Sequence, residues 1–320
     1  MLLTKKSLLL STTSNSLILH QVCVAAALND LNTDLHRKEA LIYIENAFNI
    51  KNDYAGAYFM KGSVLRGLKQ FNLAAKSFQN TIKYSSDKPD VLYLGLVNLG
   101  ALLMHGTLTN KTHFGNSLTQ IKNAKIALKE ALQIEPKRYA PNANLAEVFS
   151  LLSDRENGKY WDKAIHYYKI ASLHESVQSD LYNNYAIAVY KRAVYKNPKS
   201  LGMNVLNEVL KLYQKAIDIN KNYVNPRRNI GKIYYRQKKY KLAIYHFKHC
   251  VRLSKLDGRC WYDLALSQMR TKDFKNAYNS FQSLFKKRYE TGEIVRMDMS
   301  GIKLDQAKEN FKSCKIQMNI

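Results

Sequence analysis

Glycine and proline are scarce in this sequence, at 13 and 5 of 320 residues. Their scarcity excludes collagen-like and low-complexity chains, and it argues against a β-rich protein, which needs many tight turns. No apolar run approaches the roughly eighteen residues of a membrane-spanning helix. The four cysteines, Cys23, Cys250, Cys260 and Cys314, are too few and too scattered for a disulfide framework and form no CxxC pair. Catalytic motifs are missing too: there is no GxSxG, no phosphate-cradling glycine loop and no HExxH. An enzyme is therefore not expected, nor a cofactor. His246, His249 and Cys250 share one helical surface, but they read as two outward histidines beside a buried small hydrophobe rather than as metal ligands.

Apolar residues are plentiful, at 46%, which allows a sizeable core and excludes wholesale disorder. They recur with a long period. Gly231, Tyr234, Tyr240, Ala243 and Phe247 are followed 34 positions later by Ala265, Gln268, Phe274, Ala277 and Phe281. The same register appears earlier as Gly62, Leu65, Phe71, Ala74 and Phe78, with Ala40 34 positions before Ala74. Tyr240, Ala243, Phe247 and Cys250 are spaced 3, 4 and 3, which puts them on one face of a helix. Gly231 and Ala243 then supply small surfaces where two antiparallel helices approach closely, with Tyr234 and Phe247 filling the space beside them. A single hairpin of this kind cannot bury its apolar face and must stack on a neighbour.

A small–x2–large element followed by aromatic–x2–Ala–x3–Phe at this period resembles the tetratricopeptide repeat (TPR) family over most of the chain. The resemblance implies an all-α, right-handed superhelical solenoid of about seven helix-turn-helix repeats. Their expected limits are 21–54, 55–92, 93–138, 139–178, 179–223, 224–257 and 258–291. Insertions are expected around Gly106–Leu118 and Ser153–Lys159, and a longer connection near Lys196–Gly202, where Asn197-Pro198 breaks the helix. Residues 292–320 read as a C-terminal cap, with a polar amphipathic helix over Asp305–Gln317. Residues 1–20 are a separate N-terminal segment, either a cap helix or an export or import signal. Lys5 and Lys6 precede Leu8-Leu9-Leu10, yet a run of Ser, Thr and Asn interrupts the apolar stretch. A cytoplasmic location is preferred to export or organelle import.

In TPR proteins the first helices line a concave channel. Two residues before each small position stand Asn98, Asn144, Asn184 and Asn229, with Asp263 in the last repeat and Ala26 and Met60 in the first two. A side-chain amide offers both donor and acceptor to a peptide unit. The row resembles the asparagine ladder of the TPR region of O-linked N-acetylglucosamine transferase, without its catalytic domain. Equally, Asn at this position is common in TPR repeats whatever they bind. The two-carboxylate clamp of co-chaperones is not expected, because only Asn229 and Arg259 match its pattern.

Charge adds a second signal. Lys and Arg number 50 against 25 acids, for a net charge of +25. Residues 161–320 hold 31 bases and 13 acids, and no acid lies between Asp218 and Asp257. There Arg228, Lys232 and Arg236 form an i, i+4, i+8 stripe with Tyr235 beside it, expected to face the channel. The surplus of bases reflects either a polyanionic or acidic partner or a lysine-rich composition. The expected function is a non-catalytic scaffold that binds an extended, acidic protein segment through these residues, the Asn row and Arg259. The alternatives are an RNA-binding helical repeat protein and an exported assembly factor similar to TPR proteins of type IV pilus or gliding machinery.

Overall fold

The computed structural model describes residues 2–108, 117–198, 201–285, 288–290, 293–295 and 303–318. The chain divides into two compact units, 1–175 and 176–320. The first contains α1 (Leu2–Asp30), α2 (Asp34–Ile50), α3 (Ala55–Gly67), α4 (Phe71–Lys83), α5 (Pro89–Leu108), α6 (Ser117–Ile134), α7 (Tyr139–Arg155) and α8 (Trp161–Ala171). The second contains α9 (Ser179–Lys196), α10 (Met203–Ile219), α11 (Val224–Arg236), α12 (Tyr240–Leu253), α13 (Gly258–Arg270) and α14 (Phe274–Phe285). It ends with β1 (Arg288–Glu290), β2 (Glu293–Val295) and α15 (Leu304–Gln317). Seven consecutive helix pairs, from α1/α2 to α13/α14, form the hairpins of a helical-repeat solenoid, and within each unit each hairpin packs on the next. The short antiparallel pair β1/β2, with Tyr289 opposite Ile294, is an addition to the all-α expectation.

The small-plus-aromatic pattern is a physical interlock. A Cβ built on Gly231 would lie 2.6 Å from Phe247 Cε1, and one on Gly62 would lie 2.6 Å from Phe78 Cε1. In α5 a Cβ built at the same position, Gly100, would lie 2.6 Å from Leu128 Cγ. Phe78, Phe247 and Phe281 are all sealed from solvent. Each stands on the second helix of its hairpin and fills the notch that the small residue of the first helix leaves open.

The turns inside the hairpins repeat as closely as the cores. Lys69, Lys238 and Lys272 occupy equivalent positions with φ of 61°, 60° and 62°. The next residue's N–H returns to a carbonyl five residues back: Gln70 to Leu65, Lys239 to Tyr234 and Asp273 to Gln268. This is the left-handed helix stop that glycine favours and lysine tolerates at a cost. Replacing all three lysines by glycine is expected to raise the unfolding free energy by roughly 0.5–1 kcal/mol per site, read from urea denaturation. A triple variant no more stable than wild type would refute it.

Each unit has particular ends. In the first unit α1 runs without a break from Leu2 to Asp30, through the Ser/Thr/Asn run. Ile18 is buried against Ala47 and Ala57, which ties that part of α1 to the hairpin core. Thr33 caps α2 by accepting from the His36 N–H at 3.2 Å. Residues 109–116, the centre of the expected third-repeat insertion, lie outside the described residues. The Ser153–Lys159 insertion is a tight loop in which Asn157 and Gly158 take positive φ and Ser153 Oγ accepts from the Tyr160 N–H at 2.8 Å. In the second unit α9 stops at Lys196, before Asn197-Pro198. α15 covers the last hairpin through Ala307, Phe311 and Cys314, and Phe311 stacks on Tyr278 at 4.9 Å. Cys250 of α12 and Cys260 of α13 are joined in a disulfide with Cα atoms 5.8 Å apart. Their spacing gave no sign of this, since the pair spans the junction between two hairpins.

Candidate functional site in the second unit

The first helices of the second unit's hairpins, α9, α11 and α13, stand side by side and are cross-linked by polar pairs at a fixed offset. Arg228 Nε donates to Asp263 Oδ2 at 2.7 Å, a separation of 35 residues. Arg270 Nε donates to the Tyr235 hydroxyl at 3.2 Å, again 35 residues apart. One repeat earlier, Asn229 Nδ2 donates to Asn183 Oδ1 at 3.2 Å and Arg236 Nη1 donates to the Tyr190 hydroxyl, both 46 residues apart. The offset is one repeat plus one residue in every case, because the fifth repeat is longer than the sixth. Two rungs therefore join each neighbouring pair of first helices, one near the helix start and one near its end.

These rungs decide what the expected contact residues can do. Arg228 and Asp263 neutralise each other in a largely covered pair, with side chains 18% and 14% exposed. Burial pushes the Asp263 carboxyl above its usual value, while Arg228 and Lys232 pull it back down. Asn229 bonds Asn183 and also the buried Tyr213 hydroxyl, whose pKa is raised mainly by burial. Asn183 in turn donates to Asn184 Oδ1 at 3.0 Å. Arg259 makes a two-pronged pair, at 2.9 and 2.8 Å, with Asp257, the N-cap that starts α13. Asn184, Asn229, Asp263, Arg228 and Arg259 thus all have partners within the chain.

Asn98 and Asn144 lie in the first unit. Asn98 accepts from Arg66 Nη1 at 2.9 Å and donates to the Leu94 carbonyl at 2.9 Å. Burial pushes the Arg66 pKa down. Asn144 is half-buried on α7.

What remains open is a cavity of about 240 Å³ lined by Lys232, Tyr235, Arg236, Phe247, Asp263 and Leu266. Its floor is apolar, from Phe247 and Leu266, and its rim is basic. The ring of Tyr235 meets Tyr240 edge-on at 5.3 Å. Lys232 reaches solvent, and desolvation together with Arg228, Arg236 and Arg259 pushes its pKa down while Asp263 opposes them. It forms no ion pair among the described residues. Lys232, Tyr235, Arg236 and Asp263, all singled out by the sequence, line one cavity. Asn183, Tyr190 and Arg270 were not singled out, although the one-repeat-plus-one offset would have flagged each.

Among the described residues no three or more His, Cys, Asp or Glu side chains form a metal-binding group. No helix among them is long and apolar enough to cross a membrane.

No protein-family model matches the sequence, and no curated protein matches it either. Solved structures are similar to it. The APC/C hetero-tetramer Cut9–Hcn1 aligns with 90% of this chain and 48% of its own, at 12% identity and a TM-score of 0.58. YrrB, described as a TPR protein with an unusual peptide-binding site, aligns with 64% of this chain and 88% of its own, at 17% identity and a TM-score of 0.45. The TPR protein TTC0263 of Thermus thermophilus aligns with 67% of this chain and 97% of its own, at 16% identity and a TM-score of 0.46. Taken with the 34-residue period, the interlocked Gly–Phe hairpins and the repeated left-handed turns, the likeness over nine-tenths of the chain identifies a helical-repeat protein of tetratricopeptide fold.

Proposed function

We propose that the protein is a non-catalytic interaction scaffold, and that the second unit docks an acidic segment of a partner protein at the α11/α13 cavity. The observation that carries this reading is the cavity itself, an apolar floor under a basic rim in which Lys232 has no ion-pair partner among the described residues. A glutamate or aspartate entering it would satisfy the Lys232 ammonium, while its methylene stem packs on Phe247 and Leu266. The wall around the cavity is held by rungs between repeats, so docking orders the ligand rather than the protein. RNA is the weaker reading. The Tyr190 ring is capped by the Arg236 guanidinium at 5.4 Å and the Tyr235 hydroxyl is held by Arg270, which leaves less aromatic surface for base stacking.

The test is selection from a library of extended peptides, with wild type against Lys232→Gln, which leaves the Arg236–Tyr190 rung intact. Wild type should enrich acidic sequences, with affinity falling as salt rises. The variant should bind the selected peptides about tenfold more weakly, with its unfolding midpoint unchanged. Enrichment of neutral sequences, or equal binding by the folded variant, would remove the cavity from consideration.

A further inference from the structure

A second basic cluster lies between α11 and α12, apart from the cavity. Arg227 and Tyr234, seven residues apart, share the face of α11 that meets α12, and the His246 ring stacks on Tyr234 at 5.5 Å. Tyr245 stands edge-on to both His246, at 5.2 Å, and His249, at 4.8 Å. Arg252 follows His249 by one turn of the same helix.

Two atoms in this cluster, Arg227 Nε and His246 Nδ1, are buried and have no hydrogen-bond partner among the described residues. An orphaned guanidinium nitrogen is costly to keep inside a protein unless something completes it. No acid acts on the two histidines: the Arg227 guanidinium bears on both and Arg252 on His249, and each lowers the imidazole pKa. Burial and these neighbours hold His246 down to about 4. The chain offers no acid between Asp218 and Asp257 to balance them. Three features therefore coincide: unsatisfied buried nitrogens, a surplus of positive charge, and aromatic walls that fix the imidazoles.

We propose that Arg227, His246, His249 and Arg252 form a binding site for a phosphate-type oxyanion. Arg227 Nε–H and the Nδ1–H tautomer of His246 donate to two of its oxygens, and His249 and Arg252 close the outer side. A tetrahedral oxyanion is favoured over a carboxylate because the donors sit on two helices, and its oxygens point out of a single plane whereas a carboxylate's two do not. The site is independent of the acidic-peptide reading, since it uses none of the cavity residues.

The experiment follows the histidine ring resonances of the full chain at neutral pH by NMR. Sodium phosphate is titrated against sodium chloride at equal ionic strength. The His246 and His249 signals should move saturably with phosphate and not with chloride. Arg227→Gln should weaken the effect about tenfold or more, and Arg227→Lys, which keeps the charge, should weaken it less. Phenyl phosphate run alongside separates two sources of the ligand: it saturates earlier than inorganic phosphate if the natural ligand is an ester, and later if it is the free ion. Signals that drift alike in both salts, an equal response to acetate, or a folded Arg227→Gln protein binding as wild type would each overturn the assignment. Should Arg227→Gln fail to fold, the wild-type titration and Arg227→Lys decide.

Discussion

Replacing Arg228 with glutamate is expected to lower the unfolding free energy by about 3 kcal/mol, the loss typical of breaking a covered ion pair. The expectation comes from geometry. Arg228 Nε lies 2.7 Å from Asp263 Oδ2, and both side chains are mostly shielded from water. The variant would set two carboxylates against each other where burial already pushes the Asp263 carboxyl up. One of them would take a proton near neutral pH or the two helices would part. The swapped pair, Arg228→Glu with Asp263→Arg, should recover most of the loss. Urea denaturation measures both, and a loss under about 0.5 kcal/mol would mean that the pair behaves as an exposed surface contact. The same result governs how the peptide site is tested. A variant that includes Arg228 or Arg236, each bonded across repeats, would confound unfolding with lost binding, so the informative variant changes Lys232 alone.

Gly231→Ala should cost about 2–3 kcal/mol, a large penalty for one methyl group. The added carbon would fall 2.6, 2.9 and 2.9 Å from three atoms of the Phe247 ring. Phe247 is 1% exposed and packed with Ala243, Cys250 and Leu264, so the ring can yield only toward the cavity it shares with Lys232 and Leu266, giving up its packing as it does. Gly202→Ala is the control, because nothing lies within 4 Å of a carbon added there. A second control is the double variant Gly231→Ala/Phe247→Leu. If the clash is the cause, the two changes together destabilise less than the sum of each alone. Additive losses, or a neutral Gly231→Ala, would show that α11 can move away from α12 at little cost.

The hairpins are legible in the sequence because their packing is local. Gly62 meets Phe78 and Gly231 meets Phe247 within one repeat, so the contact leaves a fixed spacing that recurs. The polar wall is only half legible. A polar side chain on a first helix has the same spacing whether it faces a ligand or the next hairpin. Asn229 and Arg228 therefore read as open groups in the sequence, yet both bond across repeats. The discriminating signal is a correlation between repeats: Arg228 with Asp263, Tyr235 with Arg270, Asn183 with Asn229 and Tyr190 with Arg236. Lys232 stands out for the opposite reason, since the position one repeat on holds no acid. The continuity of α1 is hidden because Ser, Thr and Asn are only mildly unfavourable in helices. That weak preference yields once a helix has a neighbour to dock on, as Ile18 does. The Cys250–Cys260 pair is hidden because it belongs to the boundary between two repeats rather than to either.

The two kinds of rung differ in how freely hairpins could be exchanged. Near the end of each first helix the partners are the same chemistry twice, tyrosine hydroxyl and arginine. Excising residues 224–257 would bring Tyr190 opposite Arg270 and rebuild that contact. Near the helix start the partners are amide with amide, then guanidinium with carboxylate. The same excision would leave Asp263 opposite Asn183, its charge uncompensated. One edge of the array thus reads as a universal coupling and the other as an address, fixing which hairpin can follow which.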